Sequence, residues 1–177
     1  MKIRSKILFL QLYRKFQRKV KKSSLTPFEI ANNIALLINM PLSGEEQISI
    51  GNFIKKLRND GKPAQIIEVY KKDKPTQLEN GGNSFAKIKL DRKDFSATGL
   101  PRSIELKNFL KTDFHYLIFC NPKSDIKNAS IAGLSNSYCI VGPYSERKTP
   151  GYDFIINNTN SLEEYFESIY NSLKQIR

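Results

Sequence analysis

Histidine and tryptophan are nearly missing from this chain: His115 is the only histidine among 177 residues, and there is no tryptophan. With one imidazole, most general-base, Ser-His-Asp and histidine-zinc schemes lack the side chain they turn on. His115 opens an apolar run, where a hydrogen-bonded structural role is expected of it. The only two cysteines, Cys120 and Cys139, lie inside apolar strand-like runs and read as small buried hydrophobes, so neither a disulfide framework nor a metal site is expected. No run approaches the length needed to span a bilayer. The stretch Ile7 to Tyr13 is short, holds Gln11, runs straight into Arg14-Lys15 and lacks a small-residue cleavage pattern, so no secretory signal is read and a cytoplasmic location is expected.

Negative charge is absent from the first 28 positions, the first carboxylate being Glu29. Over residues 1–25 the basic side chains are Lys2, Arg4, Lys6, Arg14, Lys15, Arg18, Lys19, Lys21 and Lys22. These nine leave 20 basic against 17 acidic residues elsewhere, so the segment carries +9 of the formal +12. At about 100° per residue, Phe9, Leu12, Tyr13, Phe16 and Val20 share one stripe, with Arg4, Arg14, Lys15, Arg18 and Lys22 opposite. The spacing predicts a basic amphipathic helix. Three uses compete for it: docking on the domain by the apolar stripe, neutralising nucleic-acid phosphates, or lying on an anionic membrane with Phe9, Leu12 and Phe16 inserted.

Length and an apolar content of 40% suit one folded domain behind this extension. Ser23 to Pro27 breaks the helix, giving an extension of residues 1–25 and a domain of residues 26–177. Asn33–Asn39 is a continuous apolar run expected of a strand covered on both faces. Ser43 and Glu46 form a capping box before a helix with Ile50, Phe53, Ile54 and Leu57, stopped at Asn59-Asp60-Gly61. Ala64–Tyr70 returns to strand. Residues 71–84 read as a loop, and Phe85–Leu90 as a strand near an edge. Pro101 and Ser103 open a helix leading to the strand Phe114–Cys120. Ser124 or Asp125 caps a helix to Asn136, and Tyr138–Val141 is a strand ended by Gly142-Pro143. Phe154–Ile156 is a last strand, followed by a second capping box, Ser161 with Glu164, and a helix carrying Leu162, Tyr165, Phe166, Ile169 and Leu173. This alternation predicts an α/β three-layer sandwich with a mostly parallel sheet of five or six strands, flavodoxin- or Rossmann-like.

The expected strand tips hold mainly turn formers. Pro41-Leu-Ser-Gly-Glu-Glu46 after the first strand has one glycine and two carboxylates, which argues against a phosphate loop. Asp113, Asp125 and Asp153 read as caps or turns, and Ser43, Ser124 and Ser145 lack a base and the nucleophile elbow. No catalytic residue, metal ligand or cofactor is expected. A second basic group, Lys71, Lys72, Lys74, Lys87, Lys89, Arg92 and Lys93, is interleaved with Tyr70, Phe85 and Phe95, a spacing suited to phosphate contacts with base stacking. The competing reading is a solvated rim neutralised by Asp73, Asp91 and Asp94.

The basic N-terminal stretch, the segment Lys93-Asp94-Phe95 to Gly99-Leu100-Pro101, the turn Val141-Gly142-Pro143-Tyr144 and the run Tyr152-Asp153-Phe154-Ile155-Ile156 together resemble an uncharacterised family of the Bacteroidota over almost the whole chain. The resemblance implies a flavodoxin-like domain in a bacterial cytosol and no activity. The function expected first is non-catalytic binding of RNA, ribosomal RNA in a ribosome above all. Its contacts are the nine cations of residues 1–25 with Lys71, Lys72, Lys87, Lys89 and Arg92. The alternative is a protein partner or a membrane surface on the Phe9, Leu12, Phe16 stripe. An enzyme is the least favoured reading, and would need a pocket at the strand tips lined by Asn39, Asn121 and Tyr144.

Overall fold

The computed structural model describes residues 26–71, 87–121, 126–144, 152–157 and 160–176. The expected N-terminal helix, the loop expected at 71–84 beyond Lys71, and the caps Ser124 and Asp125 lie outside the described residues.

Six strands form one sheet: β1 (Ile34–Met40), β2 (Ala64–Tyr70), β3 (Lys87–Leu90), β4 (Tyr116–Phe119), β5 (Cys139–Pro143) and β6 (Phe154–Ile156). All neighbours are parallel, in the order β3-β2-β1-β4-β5-β6. That is the doubly wound order of dinucleotide-binding sheets, and its direction reverses between β1 and β4. The helices are α1 (Gly44–Asn59), α2 (Ile104–Lys111), α3 (Ile126–Leu134) and α4 (Leu162–Lys174), with a 3-10 turn, η1, at Arg92–Asp94.

Alternation within the strands feeds two cores. Ile34, Leu36, Ile38, Ile66, Tyr116, Ile118 and Val141 point to one face, under Phe53 and Leu57 of α1 and Phe166 and Ile169 of α4. Ala35, Leu37, Ile67, Val69, Leu117 and Phe119 point to the other, under Leu106 and Phe109 of α2 and Ile131 of α3. A strand buried on both faces cannot alternate with polar residues, which is why β1 and β4 read as unbroken apolar runs. On the first face, Phe53 of α1 and Phe166 of α4 stack with ring centroids 4.5 Å apart, joining the two helices.

Several boundaries differ from the sequence expectation. β1 runs one residue later, because its ladder with β2 extends to Met40 opposite Tyr70. β4 keeps only Tyr116–Phe119 of Phe114–Cys120, and α3 stops at Leu134 rather than Asn136. Gly142 and Pro143 belong to β5 instead of ending it. The β4 ladder stops at Val141, and Pro143 lies opposite Ile156 of edge strand β6, so its missing N–H leaves no gap on the β4 side. Ser43 caps α1 with the reciprocal Glu46 bond. At α4 the second box is shifted: Ser161 accepts from Glu164 N–H, but the Glu164 carboxylate accepts from Asn160 N–H.

Candidate nucleic-acid interface

Where the strand order reverses, the carboxyl ends of β1 and β4 meet in an amide clamp. Asn39 N–H donates to Asn121 Oδ1 at 2.6 Å, Asn39 Nδ2 to the Asn121 carbonyl at 2.9 Å, and Asn121 Nδ2 to the Asn39 carbonyl at 2.8 Å. Asn121 Nδ2 also lies 3.4 Å from Glu46 Oε1, tying the clamp to the first turn of α1. Both asparagines are buried. Glu45 and Glu46 occupy the positive end of the α1 dipole, the place an anionic ligand takes in nucleotide-binding sheets of this topology. The structure brings Asn39 and Asn121 together, but their amides are engaged with each other. Tyr144, following β5, is 52% exposed.

The cations expected at Lys71, Lys87, Lys89 and Arg92 gather along the β3 edge. Ile88 and Leu90 turn into the α2/α3 core, so Lys87 and Lys89 share the opposite face of the strand. Lys87 Nζ is 3.7 Å from Glu68 Oε1 on β2. The β2–β3 ladder ends at Val69 opposite Leu90; Lys71 follows the end of β2 and Arg92 opens η1 just after β3, and both are exposed. Lys72, Lys74 and the nine cations of residues 1–25 lie outside the described residues.

Two expectations for this edge are corrected. Asp91 and Asp94 are not a solvated counter-charge; they are 2% and 7% exposed. Asp91 Oδ1 accepts Lys93 N–H and Asp94 Oδ2 accepts Asp91 N–H, each at 2.7 Å, so the pair caps η1. In the sequence Asp-Arg-Lys-Asp the carboxylates look like solvated charges, but backbone N–H groups of a tight turn recruit them. Nor is Phe95 a stacking platform. It is 5% exposed within the α2/α3 core, and Lys127 Nζ lies 5.3 Å from its ring centroid. The Tyr70 hydroxyl donates to Glu68 at 2.9 Å. Phe85 lies outside the described residues.

Two cations near this edge escaped the sequence reading. Lys127, on α3, donates to the Tyr70 carbonyl at 3.3 Å, a contact set by tertiary packing with no local signal. Arg102 is carried alongside η1 because its N–H donates to the Asp94 carbonyl at 2.8 Å, where Gly99 (φ 80°) lets the loop turn back to the Phe95–Pro101 bridge.

The start of the described chain is pinned at the other end of the sheet. The Tyr116 hydroxyl donates to the Thr26 carbonyl, and Phe28 packs its ring 6.2 Å from Tyr116 and 6.1 Å from Tyr170. Burial, aided by the Cys139 thiol, pushes Tyr116 up to about 12. His115 Nδ1 accepts Asn32 N–H at 3.3 Å and its ring stacks on Tyr138, a structural use. Asp153 accepts Ile140 N–H and Asp113 accepts from Asn136, as turn and cap residues do. The Cys120 and Cys139 thiols are buried and pushed upward by that burial.

These features define a doubly wound α/β protein with an asparagine pair bonded across its switch point and a basic sheet edge. The chain belongs to a family of unknown function, DUF6913, whose sequence profile matches residues 4–176 and so takes in most of the basic segment with the domain. No curated protein and no solved structure matches it. Among the described residues, no helix is long and apolar enough to cross a membrane.

Proposed function

We propose that this protein is a non-catalytic, cytoplasmic RNA-binding protein that works on the ribosome, with residues 1–25 as a basic extension to the domain of residues 26–177. The observation that carries the reading is the concentration of nine cations and no carboxylate in one amphipathic segment. Counterion release from phosphates supplies the affinity for such a segment, and a ribosome is where long stretches of phosphate are exposed. Its support from the fold is electrostatic: Lys71, Lys87, Lys89 and Arg92 share the β3 edge, and the switch-point amides are occupied by each other.

Filter binding and co-sedimentation with ribosomes over a salt series test it. Binding at low salt that falls steeply with added salt, and that is lost on deleting residues 1–22, is the expected result. Absence of binding at low salt, or binding indifferent to the deletion, refutes it. Flotation with anionic but not neutral liposomes would move the apolar stripe Phe9, Leu12 and Phe16 to a membrane surface instead.

A further inference from the structure

We propose that the domain's own share of this binding, resting on the RNA reading above, is a contact of the β3 edge with the sugar-phosphate backbone of base-paired RNA, made without base stacking. The edge supplies cations on a rigid frame. Lys87 and Lys89 project from one face of β3, about 7 Å apart at the usual rise per residue, Arg92 opens the turn that follows β3, and Lys71 follows the end of the neighbouring β2. Arg102, held to η1 through the Asp94 carbonyl, adds a further charge at the same end.

What unpaired bases require is an open aromatic face, and the described residues of this edge present none. Phe95 is core, and Tyr70 is half-buried with its hydroxyl on Glu68. The exposed tyrosines, Tyr138 and Tyr144, flank β5. That strand is four spacings from β3 in the sheet order, about 19 Å away. A-form RNA, by contrast, is recognised through its phosphates and its shape, which need only cations at fixed positions.

The point at which the described chain begins favours the same ligand. The chain emerges at Thr26, tied to Tyr116 at the amino end of β4, whereas Lys71 and Arg92 stand at the carboxyl end of the β2–β3 edge. Seven residues of strand rise and two to three strand spacings separate these points by about 25 Å. A ligand that meets the extension where it joins the domain and also meets this edge must hold phosphates across that distance. A duplex does so without losing chain entropy on binding, and a single strand does not.

Fluorescence anisotropy with the full-length chain tests this, using a hairpin of about 20 base pairs, longer than the roughly 16 that a duplex-binding module spans, and a uridine 20-mer. The hairpin is expected to bind at least tenfold tighter at equal salt. Replacing both cations, Lys71→Gln with Arg92→Gln, should lower hairpin affinity and reduce the log–log salt slope by about two. Far-UV circular dichroism of the variant, whose two substitutions are on the surface, shows that it is folded. Tighter binding of the uridine strand, or an unchanged hairpin slope in the folded variant, overturns the inference while leaving RNA binding by residues 1–22 intact. Failure of the wild-type chain to bind either RNA removes the proposed function and this inference together.

Discussion

Asn39 and Asn121 satisfy each other across the one place where the sheet reverses direction, with three direct hydrogen bonds of 2.6 to 2.9 Å between them. In a doubly wound sheet that crevice is the usual ligand site, and here the pair bonds across it and joins the ends of β1 and β4. The joint is asymmetric. The Asn121 side chain serves both the N–H and the carbonyl of Asn39 and reaches Glu46, whereas the Asn39 side chain serves one carbonyl. Asn121→Ala should therefore cost about 2–4 kcal/mol and Asn39→Ala about 1–2 kcal/mol, by leaving buried backbone groups unpaired. Urea denaturation checks the order, and equal effects would mean the bonds are not the source.

Gly142 makes a second testable joint. A Cβ built there falls 2.5 Å from Tyr152 Cε1, and the Tyr152 ring packs edge-on against Phe119 with centroids 5.1 Å apart. The ring is half-buried and packs against the α2/α3 core. Gly142→Ala should destabilise by about 1–3 kcal/mol through overpacking. In the background Tyr152→Leu the same substitution should cost less, giving a favourable coupling in a double-mutant cycle. Additive losses would place the strain elsewhere.

How much of this was readable in advance depended on whether the determining contacts were local. The Ser43–Glu46 box, the limits of β2 and β6, and the apolar stripes of α1 and α4 depend on residues a few positions apart, and the sequence carries them. The ends of β1, β4 and β5 depend on what the neighbouring ladder offers, which is why Pro143 counts as strand and Cys120 does not. The β3 cations were legible by alternation. The burial of Asp91, Asp94 and Phe95 was not, since a run of charges with an aromatic looks alike on a rim and in a turn until the backbone has claimed the carboxylates. Lys127 reaches the end of β2 from a helix 57 positions further along, with no pattern to announce it.

The α1–α4 packing separates apolar from ionic contributions. Lys56 Nζ lies 2.6 Å from Glu167 Oε1 in the exposed layer, directly beside the buried Phe53–Phe166 stack. Glu167→Gln should change stability by less than about 1 kcal/mol, since exposed pairs are screened and lose side-chain entropy. Phe166→Ala should cost about 3–5 kcal/mol by opening a cavity under both helices. Chemical denaturation of the two variants side by side checks this, and a larger loss from the charge change would reverse the assignment.

The thiols predict a pH limit on the alkaline side. Burial, with Asp153 nearby, raises Cys139 from its ordinary 9.0 to about 12, and burial raises Cys120 as well. Above pH 9 the unfolded chain releases these protons and the folded chain keeps them. The folded state therefore binds more protons, and stability present below pH 9 is lost as the pH rises toward 12. Each thiol should contribute a decline approaching about 1.4 kcal/mol per pH unit, averaging about 1 kcal/mol between pH 9 and 10. Tyr116, raised from 10.0 to about 12, adds to the decline above pH 10. Because other groups titrate there too, the decisive comparison is of slopes: urea midpoints between pH 9 and 10 should fall less steeply in Cys139→Ala and in Cys120→Ala than in the parent. A thiol-exchange reagent at pH 8 should leave both cysteines unmodified in the native chain and label both in urea. Rapid labelling of the folded protein, or identical slopes, would show that these thiols are not held protonated by the core.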